Sequence, residues 1–207
     1  MYWTEFLTIA VAHLAAVASP GPDFAVVLKQ SISNGTRSAI WTSLGVGSAI
    51  LLHVTYCLLG VAVLLNKSPA LFSTVRYVAA IYLLYLGVSA LKDTLKPQNV
   101  NMSNGKSDAL TPLKAFYLGF LTNGLNPKAT LFFLALFSVV INPATPTLVQ
   151  VGYGLYLAIA TFAWFAMLSS LLGRPSFRAR LLGLGVWFER TMGVILIALA
   201  LQIAFFS

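Results

Sequence analysis

Charged residues are scarce in this sequence. Only 9% of the 207 residues are charged and 58% are hydrophobic, whereas a soluble domain has roughly 25% charged residues. Residues 129–173 contain no Asp, Glu, Lys or Arg. As one straight helix this stretch would be about 68 Å long, more than twice the ~30 Å hydrocarbon core of a bilayer. These observations exclude an ordinary soluble protein and predict that the stretch folds back within a membrane.

Cysteine, histidine and enzyme motifs are also scarce. Cys57 is the only cysteine, which excludes an intramolecular disulfide. Neither a His-Glu-x-x-His nor a Gly-x-Ser-x-Gly motif occurs, and no Cys and His cluster has metal-ligand spacing. The net charge of +8 arises from Lys and Arg that lie mostly between apolar segments, so it reports membrane orientation instead of a nucleic-acid partner. We therefore predict no metal, no cofactor, no nucleic acid and no enzymatic activity.

Apolar runs of spanning length predict six transmembrane helices. An α-helix satisfies its own backbone hydrogen bonds in lipid, so the expected fold class is an all-α integral membrane protein. The polar stretch 96–112 is the only break long enough for a flexible linker, and residues 1–207 form a single transmembrane domain. The six predicted spans lie near 6–33, 39–65, 69–91, 115–141, 147–172 and 184–206.

The loops between these spans differ in basic residues. Cytoplasmic loops carry the excess of Lys and Arg, and alternate loops here hold nine such residues on one side against Lys67 alone on the other. We therefore expect both termini to lie on the outer, periplasmic side. The nine residues assigned to the cytoplasm are Lys29, Arg37, Lys92, Lys96, Lys106, Lys114, Arg174, Arg178 and Arg180.

Two predicted spans contain helix-breaking residues near their middle. Proline removes a helix hydrogen bond and glycine loosens the chain, so spans one and four should each be two half-helices. Pro22-Asp23 matches Pro127-Lys128 at an offset of 105. Each half contains three spans, so the second enters the membrane with opposite orientation, and an inverted repeat typical of secondary transporters follows. The breaks involve Pro20, Gly21 and Pro22 in the first repeat, about 1–95, and Gly124 and Pro127 in the second, about 113–207.

Lys128 is predicted to lie at mid-depth in the membrane, because within the predicted span 115–141 it has 13 uncharged residues before it (115–127) and 13 after it (129–141). An isolated lysine there is unfavourable without a partner or water, and Asp23 is the natural partner. The two residues either form a static pair that joins the broken helices or face a substrate cavity with Asn123 and Asn126. Asp23 could instead cap a helix, and the two asparagines could bond carbonyls freed by the break.

His13 and His53 are candidates for either of two roles. Imidazole titrates near neutral pH, so a proton relay that includes His53 and Asp23 is one interpretation. A hydrogen bond to a neighbouring helix is the other. Ala39, Ser43 and Gly47 form a small-residue face at four-residue spacing, and its partner is either internal or a second subunit of a homo-oligomer.

Two motifs resemble the LysE/RhtB-type superfamily of bacterial amino-acid exporters. They are Ser-Pro-Gly-Pro-Asp at 19–23 and Gly-Phe-Leu-Thr-Asn-Gly-Leu-Asn-Pro-Lys at 119–128. The resemblance extends over the whole chain and is nearest to the threonine and homoserine branch. Asp23 stands where lysine and arginine exporters tend to have Gln-Asn, which argues against a basic substrate.

This resemblance implies efflux of small neutral amino acids through the inner membrane, driven by the proton motive force. The expected partners are the amino acid, protons and the lipid bilayer. Two alternatives remain open at this stage: a metal or other cation exporter of the same superfamily, and a membrane-embedded enzyme.

Overall fold

The computed structural model consists of helices. It describes residues 2–18, 21–67, 69–94, 110–142, 144–172, 186–187, 190–191, 193–198 and 200–201. No strand occurs among these residues, and those described between 186 and 201 are helical. The helices with defined bounds are α1 (Tyr2–Ala18), α2 (Pro22–Ser33), α3 (Gly35–Lys67), α4 (Pro69–Asp93), α5 (Pro112–Gly124), α6 (Pro127–Val139) and α7 (Thr147–Leu172).

Two helices are long and apolar enough to cross a membrane. They span Gly35–Gly60 within α3 and Thr147–Leu172 in α7, with 26 residues each. At ~1.5 Å per residue each is about 39 Å long and exceeds the ~30 Å hydrocarbon core. The bent pair of α1 and α2, inclined by 52°, gives a third such segment. The described part of the chain therefore contains up to three spans by this criterion, and the six-span arrangement stays a prediction.

The helices follow the predicted spans closely. The predicted span 147–172 coincides with α7, and α3 and α4 cover the second and third predicted spans. Both predicted breaks are present, because the first span is divided into α1 and α2 and the fourth into α5 and α6. The predicted span 184–206 lies partly outside the described residues, as does most of the predicted linker 96–112.

α3 is central to the packing and approaches α5 very closely. A Cβ atom on Gly119 would lie 2.0 Å from the Thr42 carbonyl oxygen, and one on Gly45 would lie 2.0 Å from the Phe116 carbonyl oxygen. Each glycine thus faces the backbone of the other helix. Small residues permit this approach in membrane proteins, where helix association depends on van der Waals packing.

The small-residue face of α3 packs against α7 within the same chain. Gly47 faces the Ala158 carbonyl and Phe162, and the Ser43 hydroxyl lies 3.3 Å from that of Ser169. Ala39 is fully buried. The partner of this face is therefore internal, so the stripe does not support a homo-oligomer.

A buried carboxylate joins the start of α1 to α7 and to the residues between α6 and α7. Glu5 is 9% exposed, and it accepts hydrogen bonds from the hydroxyls of Thr145 (2.9 Å) and Tyr153 (3.2 Å). The Asn142 amide N–H also donates to it at 3.2 Å. Glu5 thus joins the start of the chain to residues 142–153, which follow it by 137 to 148 positions.

Apolar side chains also cover the outside of the bundle. Leu59, Ile81 and Ile159 are about two-thirds exposed, although each belongs to an apolar helix. In water such a surface would be an aggregation or interaction site, whereas lipid solvates it favourably. The exterior therefore fits the hydrocarbon of a bilayer.

Candidate functional site

The first break separates α1 from α2. Gly21 is the N-cap of α2 in an extended conformation, with φ −166° and ψ −173°, and Pro22 occupies the first helical position. A proline fits there because its missing N–H has no partner within the helix. Asp23 stands in the first turn of α2, and no side chain caps this helix. The capping interpretation of Asp23 is therefore wrong, while Pro20 lies outside the described residues.

The second break is only two residues long. α5 ends at Gly124 and α6 begins at Pro127, so Leu125 and Asn126 interrupt the helix. Asn126 is the N-cap of α6, and its side-chain oxygen accepts a hydrogen bond from the Lys128 backbone N–H at 3.0 Å. Its own N–H donates to the Asn123 carbonyl at 2.9 Å. The Asn126 side chain therefore satisfies a backbone N–H at the start of α6, whereas one of the two predictions for it was a bond to carbonyls freed by the break.

The two breaks border one cavity of about 70 Å³. A buried water needs roughly 10–15 Å³, so the space suits several waters or one small solute. Its polar lining groups come from both halves of the chain, and aromatic and aliphatic side chains form the remaining wall. The polar lining residues are His13, Asp23, Asn123, Asn126, Lys128 and Thr161, and the aromatic ones are Phe24, Phe132, Phe133 and Phe165.

Asp23 and Asn123 connect the two breaks directly. The Asn123 side-chain amide donates to the Asp23 Oδ2 at 2.9 Å across 100 residues of sequence. The Asp23 Oδ1 is buried and has no hydrogen-bond partner among the residues that the structure describes. Lys128 is near enough to interact electrostatically with the Asp23 carboxylate. A carboxylate, one of whose oxygens has no hydrogen-bond partner among the described residues, and an ammonium of opposite charge thus both line the cavity.

His53 lies behind Asn123 and does not line the cavity. Its Nε2 is 3.1 Å from the Asn123 side-chain oxygen, and its Nδ1 contacts the Tyr56 hydroxyl. Because the Asn123 amide N–H faces Asp23, the Asn123 oxygen accepts and His53 Nε2 must be the donor. The neutral ring then accepts the Tyr56 hydroxyl at Nδ1. His53 is fully buried and stacks on Phe133 with 11° between the ring planes.

His13 lines the cavity from α1. Its Nε2 is 2.8 Å from the Thr161 hydroxyl on α7, and the residue is 2% exposed. Its Nδ1 is buried without a hydrogen-bond partner among the described residues. The ring centroid of His13 is also 6.4 Å from that of Phe133, the ring on which His53 stacks.

The structure brings together most of the residues that the sequence predicts for the site. Asp23, Asn123, Asn126 and Lys128 all line the cavity, whereas His53 reaches it only through Asn123. Sequence analysis did not identify Thr161 or Tyr56. Thr161 is a polar residue within the charge-free stretch 129–173, and that position was the available signal.

Known proteins provide an independent comparison. The chain is 28% identical to the threonine efflux protein of Escherichia coli (strain K12) over 190 residues, which cover 92% of each chain. It is 36% identical to the leucine efflux protein of Salmonella choleraesuis (strain SC-B67) over 148 residues, or 70% of this chain and 65% of that protein. No solved structure matches the chain.

The part of the chain that matches a protein family includes both breaks and nearly all of the cavity lining. Residues 14–206 match the family described as LysE type translocator, which includes every lining residue named above except His13. The match spans far more than half of the chain and agrees with the resemblance carried by the motifs at 19–23 and 119–128. The protein therefore belongs to the LysE type translocator family.

Proposed function

We propose that this protein exports small neutral amino acids of the threonine and homoserine type from the cytoplasm across the bacterial inner membrane, in exchange for protons. The observation that carries this proposal is the presence of opposite charges, Asp23 and Lys128, in one cavity at the two chain breaks. The names of the threonine and leucine efflux relatives support the same substrate class.

The chemistry of the cavity suits a zwitterion. The ammonium of Lys128 attracts the substrate carboxylate, and the Asp23 oxygen that has no partner among the described residues accepts a hydrogen bond from the substrate ammonium. An amino acid brings both groups at once and leaves no net charge in the membrane interior. The apolar wall excludes water and strengthens both attractions.

An inverted repeat of three spans each supports a transport mechanism. Under the proposed repeat, α3 corresponds to α7, and the break-bearing spans correspond to each other. The hydrogen bond from His53 on α3 to Asn123 in the second half has a counterpart in the bond between Thr161 on α7 and His13 in the first half. In each case the hydrogen bond joins a broken span to a continuous helix of the opposite half, and this correspondence supports the proposed inverted repeat.

Asp23 offers a route to proton coupling. Its carboxylate can be neutralised by the substrate ammonium or by a proton, but not by both at once. The substrate ammonium and the proton therefore compete for one oxygen. On either side of the membrane, the species that is released from this oxygen is replaced by the other one. This competition produces an antiport without a further titrating group.

Counterflow in proteoliposomes tests the function. We expect uptake of labelled threonine and homoserine, slower uptake of leucine and little of lysine, with acceleration by an imposed pH gradient. Uptake of cadmium or nickel in place of every amino acid would contradict the proposal. Indifference to the pH gradient would contradict the proton exchange and leave amino-acid transport intact.

Lys128→Met tests the carboxylate-binding role. A hydrogen bond to a charged group contributes about 1.5–3 kcal/mol, so threonine counterflow should fall roughly 10- to 100-fold while the protein still accumulates in the membrane. Lys114→Met is the matched control, since Lys114 is exposed at the start of α5, and it should transport normally. Normal transport by Lys128→Met, or recovered transport by the double variant Asp23→Ala, Lys128→Ala, would assign the pair a structural role.

A further inference from the structure

The polar groups of the cavity are unequally occupied. The Asn126 side-chain oxygen accepts a hydrogen bond from the Lys128 backbone N–H. The Asn123 side-chain amide forms hydrogen bonds with Asp23 through its nitrogen and with His53 through its oxygen. Thr161 uses its hydroxyl on His13. Among the described lining residues, the buried side-chain atoms without a partner are Asp23 Oδ1 and His13 Nδ1. Asp23 has a role in the proposed function, so His13 Nδ1 is the atom that the mechanism does not use.

His13 has the properties of a recognition group. The imidazole is 2% exposed and is held at Nε2 by Thr161, so its orientation is fixed from the side away from Nδ1. A buried nitrogen without a partner is unfavourable, and proteins rarely retain one unless a ligand or water satisfies it. His13 stands on α1 and Asp23 on α2, so the helices on both sides of the first break each contribute one of these residues to the cavity lining.

We propose that His13 Nδ1 recognises a hydroxyl on the substrate side chain and gives the transporter its preference for hydroxylated over aliphatic amino acids. This inference rests on the proposed function, because it assigns the third contact of a substrate whose other two are Asp23 and Lys128. A hydroxyl both donates and accepts, so it satisfies Nδ1 in either tautomer of the ring. A methyl group of the same size leaves the nitrogen unsatisfied, and such sites discriminate strongly against the analogue.

The proposal distinguishes between the two kinds of substrate that appear in the names of the relatives, threonine and leucine. A threonine-type substrate presents a β-hydroxyl, whereas a leucine-type substrate presents only carbon. With His13 in the wall, the first type forms one more hydrogen bond than the second. Threonine and valine provide the sharpest comparison, because they differ only by a hydroxyl in place of a methyl group.

Two amide substitutions separate the ring nitrogens. In His13→Gln the glutamine amide reaches the position of Nε2 and can still form a hydrogen bond with the Thr161 hydroxyl. Glutamine has no polar atom at the position of Nδ1. His13→Asn keeps a polar atom near Nδ1 and loses the bond to Thr161. The two variants are both polar and uncharged, so each serves as the control for the other.

Counterflow of labelled threonine and valine by the same proteoliposomes gives the test. We expect wild type and His13→Asn to prefer threonine by about tenfold, which corresponds to one net hydrogen bond. His13→Gln should transport the two amino acids about equally, because threonine uptake falls about tenfold relative to valine uptake. A His13→Gln variant that keeps the preference, or that is present in the membrane but transports neither amino acid, overturns the proposal.

Ligand binding to the wild-type protein also tests the proposal, and this test does not require a variant to accumulate in the membrane. Threonine should raise its melting temperature in detergent more than valine does, and serine more than 2-aminobutyrate. Equal stabilisation within both pairs overturns the proposal. Wild-type protein that neither transports nor binds any amino acid contradicts the proposed function itself, so the two failures are distinguishable.

Discussion

At the scale of single residues, the site depends on a chain of side chains that runs from the cavity into the protein. Hydrogen bonds join Asp23 to Asn123, Asn123 to His53 and His53 to Tyr56. The amide of Asn123 lies between the carboxylate and the imidazole, and an amide does not pass a proton readily. This order favours a role for His53 in orienting Asn123 over the relay predicted from the sequence.

His53→Gln and His53→Leu test that role. Glutamine can donate to Asn123 from the position of Nε2, so transport should stay within about threefold of wild type. Leucine removes the donor and should lower threonine counterflow roughly tenfold, the value of one hydrogen bond. A relay predicts a different result, in which His53→Gln loses its response to the pH gradient while counterflow persists.

At the scale of helices, glycines set the distance between α3 and α5. A methyl group on Gly119 would collide with the Thr42 carbonyl oxygen. Because this oxygen belongs to the backbone, a change of side-chain rotamer cannot relieve the collision. The two helices would have to separate along their whole interface. By contrast, Gly152 on α7 has open space where a Cβ would lie.

Gly119→Ala should therefore destabilise the protein strongly. Overpacking typically lowers the free energy of unfolding by about 1–3 kcal/mol, and a backbone contact should give a loss at or above the top of that range. Gly152→Ala should be neutral or stabilise by up to roughly 1 kcal/mol, because alanine loses less entropy in a helix. Unfolding curves in detergent measure both values, and equal stability of the two variants would contradict the packing argument.

Glu5 acts at the same scale, because it joins α1 to the segment before α7. Glu5→Ala leaves the Thr145 hydroxyl and the Asn142 N–H without their acceptor. We expect a loss of about 2–3 kcal/mol in the free energy of unfolding. Glu5→Gln keeps one oxygen acceptor and should lose less than half as much. A larger loss for glutamine than for alanine would show that the hydrogen bonds are not the cause.

At the scale of the whole molecule, orientation follows from the loop charges. With nine basic residues on one side and Lys67 on the other, both termini should be periplasmic. Reporter domains fused at residue 103 and after Ser207 measure this directly. Residue 103 should report the cytoplasm and the C-terminal fusion the periplasm, and a cytoplasmic C-terminus would refute the arrangement.

The sequence predicted where the helices break better than which side chains meet. Prolines at 22 and 127 mark the starts of α2 and α6 because they remove hydrogen bonds locally. The contact between Asn123 and Asp23 depends instead on how two helices are rotated, and one residue of helix turns a side chain by about 100°. For the same reason no sequence pattern indicated the bond between His13 and Thr161 or the role of Glu5.

The charges at the two breaks also bear on how such a protein arises by gene duplication. Asp23 and Lys128 each follow a proline at equivalent positions of the proposed repeat. An ancestral antiparallel dimer of identical three-helix chains would have had two carboxylates or two ammonium groups there, facing each other across its dyad. Such a cavity suits an ion of one sign. After duplication one copy can mutate independently of the other, and so make a polarised cavity that matches a molecule with a positive and a negative end.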